Sequence, residues 1–594
     1  MRKYFWTKIP VILALALVFS FVACDLGHDG DTGSTPEKGH YKIDGLTQEY
    51  DGKAKPVTIT PRSGMSKGAI SAYYRGTGAT SYAKGKAAPK DAGTYAVTFD
   101  VAAAAGWKAA EGLSAGTLTI TVPAPKSGDF EISGLSKVYS GSGAVTITPK
   151  AGKSTGVISI YYEGTSGTSY AKNSKEPSAT GTYAVTFDVA AATGWKEAEG
   201  LSGGNLVILP PVVIDSGLVA EKWRVSIVNK KFMVDSGAKP VWFNGANTPW
   251  NSWNDFGGSF NAGWWEKEFK KLHDNGINAT RVWINCNSQG SIKLDKDGMF
   301  SSVSAQHWTD LDKLFEIAAK NKVYIMATLL SFDHFKNPNN TYGDRWRAMI
   351  KDKTAVKSFV NNYTSPFAKR YKDNPWLFSV DLMNEPEWLL EKGDHITAAS
   401  DVIPEADLAY FLAYNASAIH DANGKALITV GFACVKWNAD GAGFNRNVVS
   451  DTRLKAQYNT GNPCLDFWSP HTYDWVGEWF GVAHYLSPYG TRTGTSKEGF
   501  SGGYGLDPSK PAVIGECSAA GTTAKERGFV RSEDRPPGSN SLTTDYEYAY
   551  KNGWQGVFPW TSNSVDGNGE INYAATKNMQ NKYTNDVFPF GYGN

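Results

Sequence analysis

Three textures of apolar and polar residues follow one another along the chain. Near the N-terminus, Arg2, Lys3 and Lys8 precede an apolar run from Ile9 to Ala23, a pattern too short to span a bilayer comfortably. Across about 40–210, short runs such as VTIT, AISAYY, TYAVTFDV and TLTITV alternate with a period of two, punctuated by Gly and Pro. Period two predicts half-buried strands, and strands so spaced predict small all-β sandwiches. From about Val212 apolar runs alternate with helical periods. The runs predict strands at Val241–Ala246, Ala279–Ile284, Val323–Leu330, Leu377–Met383, Ala426–Phe432, Phe467–Pro470, Ala512–Gly515 and Gly556–Pro559. Helices are predicted between them, among them Trp264–Asn275, Trp308–Lys320, Thr354–Tyr371 and Glu405–His420. This alternation predicts an α/β domain, a (β/α)8 TIM barrel over 212–594. A doubly wound sheet is the alternative, but it usually carries a Gly-rich first turn, and Asn244-Gly245-Ala246-Asn247 is not one.

The β-rich part is a tandem duplication. GTYAVTFDVAAA occurs at Gly93–Ala104 and again, unchanged, at Gly181–Ala192. The same offset relates VTITP at Val57 and Val145, and Gly106-Trp107 and Gly194-Trp195. Two repeats are expected, at 41–124 and 128–210, with Pro123-Ala124-Pro125 and Pro210-Pro211 as stiff joints. They resemble the Ig-like repeats of bacterial surface proteins that carry a YDG motif, here Tyr50-Asp51-Gly52 and a degenerate Tyr139-Ser140-Gly141. The resemblance implies a spacer or a carbohydrate-binding module.

The N-terminal run stops at Phe21-Val22-Ala23-Cys24. It resembles a bacterial lipoprotein signal, which implies a signal peptide over 1–23, lipidation of Cys24 and a polar tether over 24–40. An exported protein is then expected, lipid-anchored and facing the periplasm or cell surface.

Composition narrows the function by exclusion. A net charge of +2 and the lack of a basic stripe give no nucleic-acid footprint. No CxxC pair, HExxH or phosphate-binding GxxxxGK[ST] loop is present, so neither a metal nor a nucleotide cofactor is expected. The 20 Trp, 29 Tyr and 28 Phe suit a groove that stacks on sugar rings as well as a packed core.

In a barrel, function belongs at the C-terminal strand ends. Acids, amides, an imidazole, an arginine and indoles fall there: Asn247, Trp250 and Trp253 after strand one; Arg281 and Trp283 at strand two; Asp333 and His334 after strand three; Asn384-Glu385 after strand four. His471 and Tyr473 follow strand six, with Trp475 beyond, Glu516 strand seven and Trp560 strand eight. Two facing carboxyls are the working parts of glycoside hydrolysis, one protonated and one ionised.

The ordered set Asn384-Glu385-Pro386, His471-x-Tyr473, Ile514-Gly515-Glu516 and Trp560 resembles glycoside hydrolase family 5, over roughly 220–590. The resemblance implies Glu385 as acid/base and Glu516 as nucleophile. It implies Asn384 on the sugar 2-hydroxyl, Arg281 keeping Glu516 ionised, Tyr473 orienting it, His471 beside the acid/base and Trp560 as the stacking floor. His334, Trp250, Trp253 and Trp388 are further candidate substrate contacts. The expected activity is retaining, endo-acting hydrolysis of a β-1,4-linked polysaccharide by a monomer. β-Mannan is favoured, on the look of GANTPWNSWNDFGG and the Trp-rich loops. An endo-β-1,4-glucanase, or a surface adhesin that binds glycan without cleaving it, is the alternative.

Overall fold

A computed structural model describes residues 33–138, 144–337, 342–439, 447–473, 487–490, 503–518, 542–567 and 570–589. The signal segment with Cys24, the Tyr139-Ser140-Gly141 motif and Trp475 lie outside the described residues. The chain divides into two compact units, Met1–Pro123 and Ala124–Asn594.

The first unit holds the first repeat. Tyr41–Asp44 pairs with Thr58–Pro61, and a four-stranded sheet runs in the order Thr47–Glu49, Ala110–Thr121, Gly93–Val101, Ile70–Thr77. Period two is literal in Gly93–Val101, where Tyr95, Val97, Phe99 and Val101 are buried and their neighbours are not. Tyr41 crosses from the small ladder to meet Phe99 edge-on at 5.1 Å, so the two sheets share one core.

The second repeat has the same two sheets, and its Gly181–Val189 strand shows the same burial alternation. Its last strand differs. Ala198–Leu209 carries Val207 and Leu209 where the first copy has Thr119 and Thr121, and its last four residues are all buried. The reason is the neighbour: this strand packs on the Phe300–Val303 strand of the barrel domain. Gly204 is part of that close approach, since a Cβ there would lie 2.6 Å from Ser301 O. The second repeat and the barrel share one hydrophobic core. Asn362 ties them further, accepting from Leu135 N at 3.1 Å and donating to Ile132 O at 2.8 Å. Asn362 sits in a wide π turn, Val360–Thr364, inside the helix expected over Thr354–Tyr371, which runs without a break from Lys353–Phe359 through that turn to Ser365–Arg370.

The barrel strands are β1 Phe243–Asn247, β2 Ala279–Trp283, β3 Tyr324–Thr328, β4 Leu377–Asn384, β5 Leu427–Gly431, β6 His471–Thr472, β7 Ile514–Ser518 and β8 Gly556–Trp560. They form one parallel sheet in the order β5-β4-β3-β2-β1-β8-β7-β6. Two backbone bonds close the ring between its edges: Asp466 N to Ile428 O at 2.8 Å, and His471 N to Phe432 O at 2.7 Å. The domain is a (β/α)8 barrel, which explains why β1 to β4 are buried at every position: helices cover the outside and side chains fill the inside. Phe467–Pro470, expected as the sixth strand, makes only an isolated bridge, Trp468 to Ala512, and the regular ladder starts at His471, after Pro470, which has no N–H to give.

Aromatic rings plug one end. Phe243 stacks on Phe378 at 4.3 Å, and Phe232, from the lead-in hairpin Ser226–Val228/Lys231–Val234, meets Phe243 and Phe467 at 5.0 and 5.2 Å. These rings sit at the N-terminal ends of the strands. The C-terminal ends keep the polar residues.

Candidate active site

β4 ends in an abrupt turn. Glu385 adopts a left-handed conformation (φ 46°, ψ 54°), and Pro386 opens a short 3-10 turn, Pro386–Leu389. A non-glycine residue held there costs about 1–3 kcal/mol, which the surroundings must offset. They do so from both sides: Asn384 N donates to Leu330 O at 2.9 Å and Glu385 N to Gly431 O at 2.7 Å.

The two acids face each other. The Glu385 and Glu516 carboxylates and the His471 ring each offer an atom, and these atoms lie within 4.8 Å of one another. Glu385 Oε1 is 2.8 Å from His471 Nδ1, and its Oε2 accepts from Trp388 Nε1 at 2.8 Å. Glu516 Oε1 accepts from Arg281 Nη1 at 2.6 Å and its Oε2 from Tyr473 Oη at 2.7 Å. The two carboxyls are therefore built differently. Glu516 touches a permanent cation and a hydroxyl donor, both of which favour its charged form. Glu385 has a neutral indole and an imidazole. Burial pushes Glu385 up to about 7. Burial also raises Glu516, and the Arg281 charge and the Tyr473 hydroxyl pull against that rise. Burial lowers His471 to about 4, so the ring is neutral.

Arg281 is itself fully buried. Its Nε and Nη2 donate to Asp381 Oδ2 at 2.9 and 2.6 Å, and Nη2 also reaches Asn384 Oδ1 at 2.8 Å. This orients Asn384, leaving its NH2 as the group free to donate to a ligand. Asp381 is the residue the motif reading missed. Its signal was the same one that marked Glu385: a lone acid inside the apolar run LFSVDLMN. Asp381 Oδ1 accepts from Gly431 N at 2.9 Å. Gly431 must be bare, since a Cβ there would lie 2.6 Å from His471 Nε2 and 2.9 Å from Arg281 Nη2.

Between the acids opens a pocket of about 420 Å³ lined by Phe332, Glu385, Trp388, His395, Tyr473, Glu516 and Trp560. Phe332 and His395 carry no motif and were not expected. Trp250 does not line this pocket; it backs Trp560 edge-on at 5.9 Å, with Trp253 against it at 4.8 Å and 38% exposed. His334 has to be withdrawn from the sugar contacts. It is fully buried, its Nε2 lies 2.8 Å from Ser288 Oγ, its Nδ1 pairs with the Ser331 backbone, and Trp346 packs edge-on at 4.7 Å. Its neighbour Phe332 takes the place at the pocket wall.

Opposed carboxyls this close can carry out displacement at an anomeric carbon with retention, because a separation near 5 Å leaves room for the sugar and none for a water on the far face. Fold and site together define the class: a (β/α)8 glycoside hydrolase. No family model matches the chain. It is similar to a mannan endo-1,4-beta-mannosidase of Cryptopygus antarcticus, 26% identical over 348 residues that cover 55% of this chain and 82% of that protein. A mannan endo-1,4-beta-mannosidase of Mytilus edulis is 25% identical over 350 residues, covering 56% and 86%. Among solved structures, the beta-1,4-mannanase of the sea hare Aplysia kurodai has 26% identity and a TM-score of 0.48, covering 61% of this chain and 98% of that one.

Proposed function

We propose that the chain is a retaining endo-β-1,4-mannanase with a family 5 catalytic domain. The observation that carries the reaction is the pair Glu385 and Glu516, with oxygens within 4.8 Å and opposite surroundings. Glu516 attacks the anomeric carbon while Glu385 gives its proton to the departing glycosidic oxygen. A glycosyl ester on Glu516 forms and the leaving sugar departs neutral. Glu385, now a carboxylate, takes a proton from water; the hydroxide equivalent attacks the same carbon and releases Glu516. Arg281 and Tyr473 hold Glu516 in place and charged, and Asn384 donates to the sugar 2-hydroxyl. Trp560 offers the face on which the reacting sugar stacks. The similarity to the two mannanases at 26% and 25% identity supports mannan over a glucan as the substrate.

The repeats read as Ig-like modules, and the apolar run ending at Cys24 supports export and a lipid anchor. The deciding experiment is reducing-sugar release from mannan, glucomannan, carboxymethyl-cellulose and xylan by wild type, Glu385→Ala and Glu516→Ala. Release from mannan that vanishes in Glu516→Ala is expected. Cleavage of cellulose alone would move the substrate to glucan, and activity surviving in Glu516→Ala would sink the mechanism.

A further inference from the structure

Glu385 opens a 3-10 turn, and Trp388 lies on that turn three residues later. A 3-10 helix has three residues per turn, so side chains at i and i+3 lie over one another. Pro386 starts the turn with its fixed φ and gives up no hydrogen bond there. The sequence Glu385-Pro386-Glu387-Trp388 thus carries an indole onto the face of the acid, and Trp388 Nε1 donates to Glu385 Oε2 at 2.8 Å. Glu387, between them, bonds elsewhere. Its Oε1 accepts from Cys434 N at 3.1 Å, beside a second cavity that shares Trp388 and His395 with the catalytic pocket. The indole is braced in the pocket wall: His395 packs edge-on to it at 5.6 Å, and Phe332 packs on His395 at 4.6 Å.

The two partners of Glu385 differ in what they can do. His471 Nδ1 donates or accepts according to its tautomer. An indole N–H only donates. Glu385 Oε2 is therefore an acceptor toward Trp388 whether the carboxyl is protonated or ionised, and the bond is stronger when it is ionised. We propose that Trp388 is a positioning residue for the acid/base: its N–H holds the Glu385 carboxyl in one rotation through both half-reactions and favours the ionised form in which Glu385 acts as base. The proposal rests on the glycanase reading and gives Trp388 a task other than stacking on sugar. In the first half-reaction Glu385 gives up its proton and gains charge, and the N–H bond strengthens as it does so. In the second, Glu385 must already be ionised to take a proton from the attacking water. Without the donor, Glu385 keeps its proton to higher pH, because this bond pulls against the rise that burial causes. Other groups act on the same carboxyl: Arg281 and His395 favour its charge, Asp333 opposes it, Glu516, Glu387 and Tyr473 lie within its field, and His471 meets Oε1. All of them remain in Trp388→Phe, which keeps an aromatic ring in the wall and removes the donor.

The test reads two pH limbs of the full chain. For mannopentaose, the basic limb of kcat/KM reports protonated Glu385 in the free enzyme. For 2,4-dinitrophenyl β-mannobioside, whose leaving group needs no proton, hydrolysis of the glycosyl-enzyme limits kcat, and the acid limb of kcat reports ionised Glu385 in that intermediate. In Trp388→Phe both limbs are expected to move up by roughly half to one pH unit, the difference between a charge-assisted and a neutral hydrogen bond. Phe332→Leu loosens the same wall, and His395 with it, but removes no bond to Glu385; its limbs are expected to stay within about 0.2 pH units of wild type. Thermal melts check folding, and Trp388→Met carries the same test if the phenylalanine variant does not fold. Limbs that stay in place or move down, whatever the loss of rate, or equal shifts in Trp388→Phe and Phe332→Leu, would mean a wall residue only and overturn the proposal. Failure of wild type to cleave either substrate overturns the glycanase reading itself, an outcome that no Trp388 variant can mimic.

Discussion

Asp381→Asn tests the electrostatic frame of the site, one layer behind the reacting atoms. Arg281 is fully buried between two acids, Asp381 and Glu516, both within 2.6 Å of its nitrogens. Asp381 uses both oxygens as acceptors: Oδ2 takes two N–H groups of Arg281 and Oδ1 takes Gly431 N. Asparagine offers a single oxygen. Whichever way the amide turns, its NH2 faces a donor, either the guanidinium or the Gly431 N–H. The substitution also removes one of the two negative charges beside a buried cation. Breaking such a pair from one side costs about 3–5 kcal/mol. Guanidinium unfolding of the full chain, followed by tryptophan fluorescence, should show the barrel transition at a lower midpoint by that amount. kcat on mannan should fall as well, since Arg281 positions both Glu516 and Asn384. A shift worth less than about 1 kcal/mol would refute the reasoning, because it would mean that the Arg281 charge does not depend on Asp381.

Other perturbations reach other parts of the argument. With Glu385 raised to about 7 and required in its protonated form, kcat/KM on mannan should fall as pH rises through that value; a basic limb that persists unchanged in Glu385→Ala, assayed on an aryl glycoside with a good leaving group, would assign the limb to another group. Gly431→Ala places a methyl 2.6 Å from His471 Nε2 and 2.9 Å from Arg281 Nη2, so both must move; kcat should drop roughly a hundredfold, and the overpacked network should lower stability by about 1–3 kcal/mol, read as a lower melting temperature. Val207→Thr puts the first copy's residue at a fully buried position of the second copy and should destabilise the barrel by about 1–3 kcal/mol, whereas Thr119→Val in the first copy should stay within about 0.5 kcal/mol; equal effects of the two would deny that the copies differ in what they pack against.

The sequence by itself determined the reaction and its scaffold. Period-two runs marked the repeats, and the duplicated GTYAVTFDVAAA set their register. The alternation of apolar runs with helical periods marked a barrel. Local chemistry is enough for this, because burial periodicity is written residue by residue and an acid at the end of an apolar strand is conspicuous anywhere. Glu385 and Glu516 stand out for that reason, as does Asp381; Arg281, Asn384, His471 and Tyr473 stand out only as polar residues at strand ends, and their expected roles came from the resemblance to glycoside hydrolase family 5. What the tertiary structure alone decided is which polar atoms find partners. His334 was a rim candidate by position, yet Ser288, Ser331 and Trp346 enclose it. Phe332 and His395 have no distinguishing pattern and reach the pocket only because their loops fold over it. Thr119 and Val207 occupy matching places in near-identical copies, and only the strand at Phe300–Val303 explains why one is apolar. Glu385 and Glu387 are two acids on one short turn, indistinguishable as letters. The fold gives the first a facing carboxyl, Glu516, and leaves the second with an unpaired oxygen beside a cavity. Partners of this kind come from segments far apart in the chain, and no local pattern can encode a distance between them.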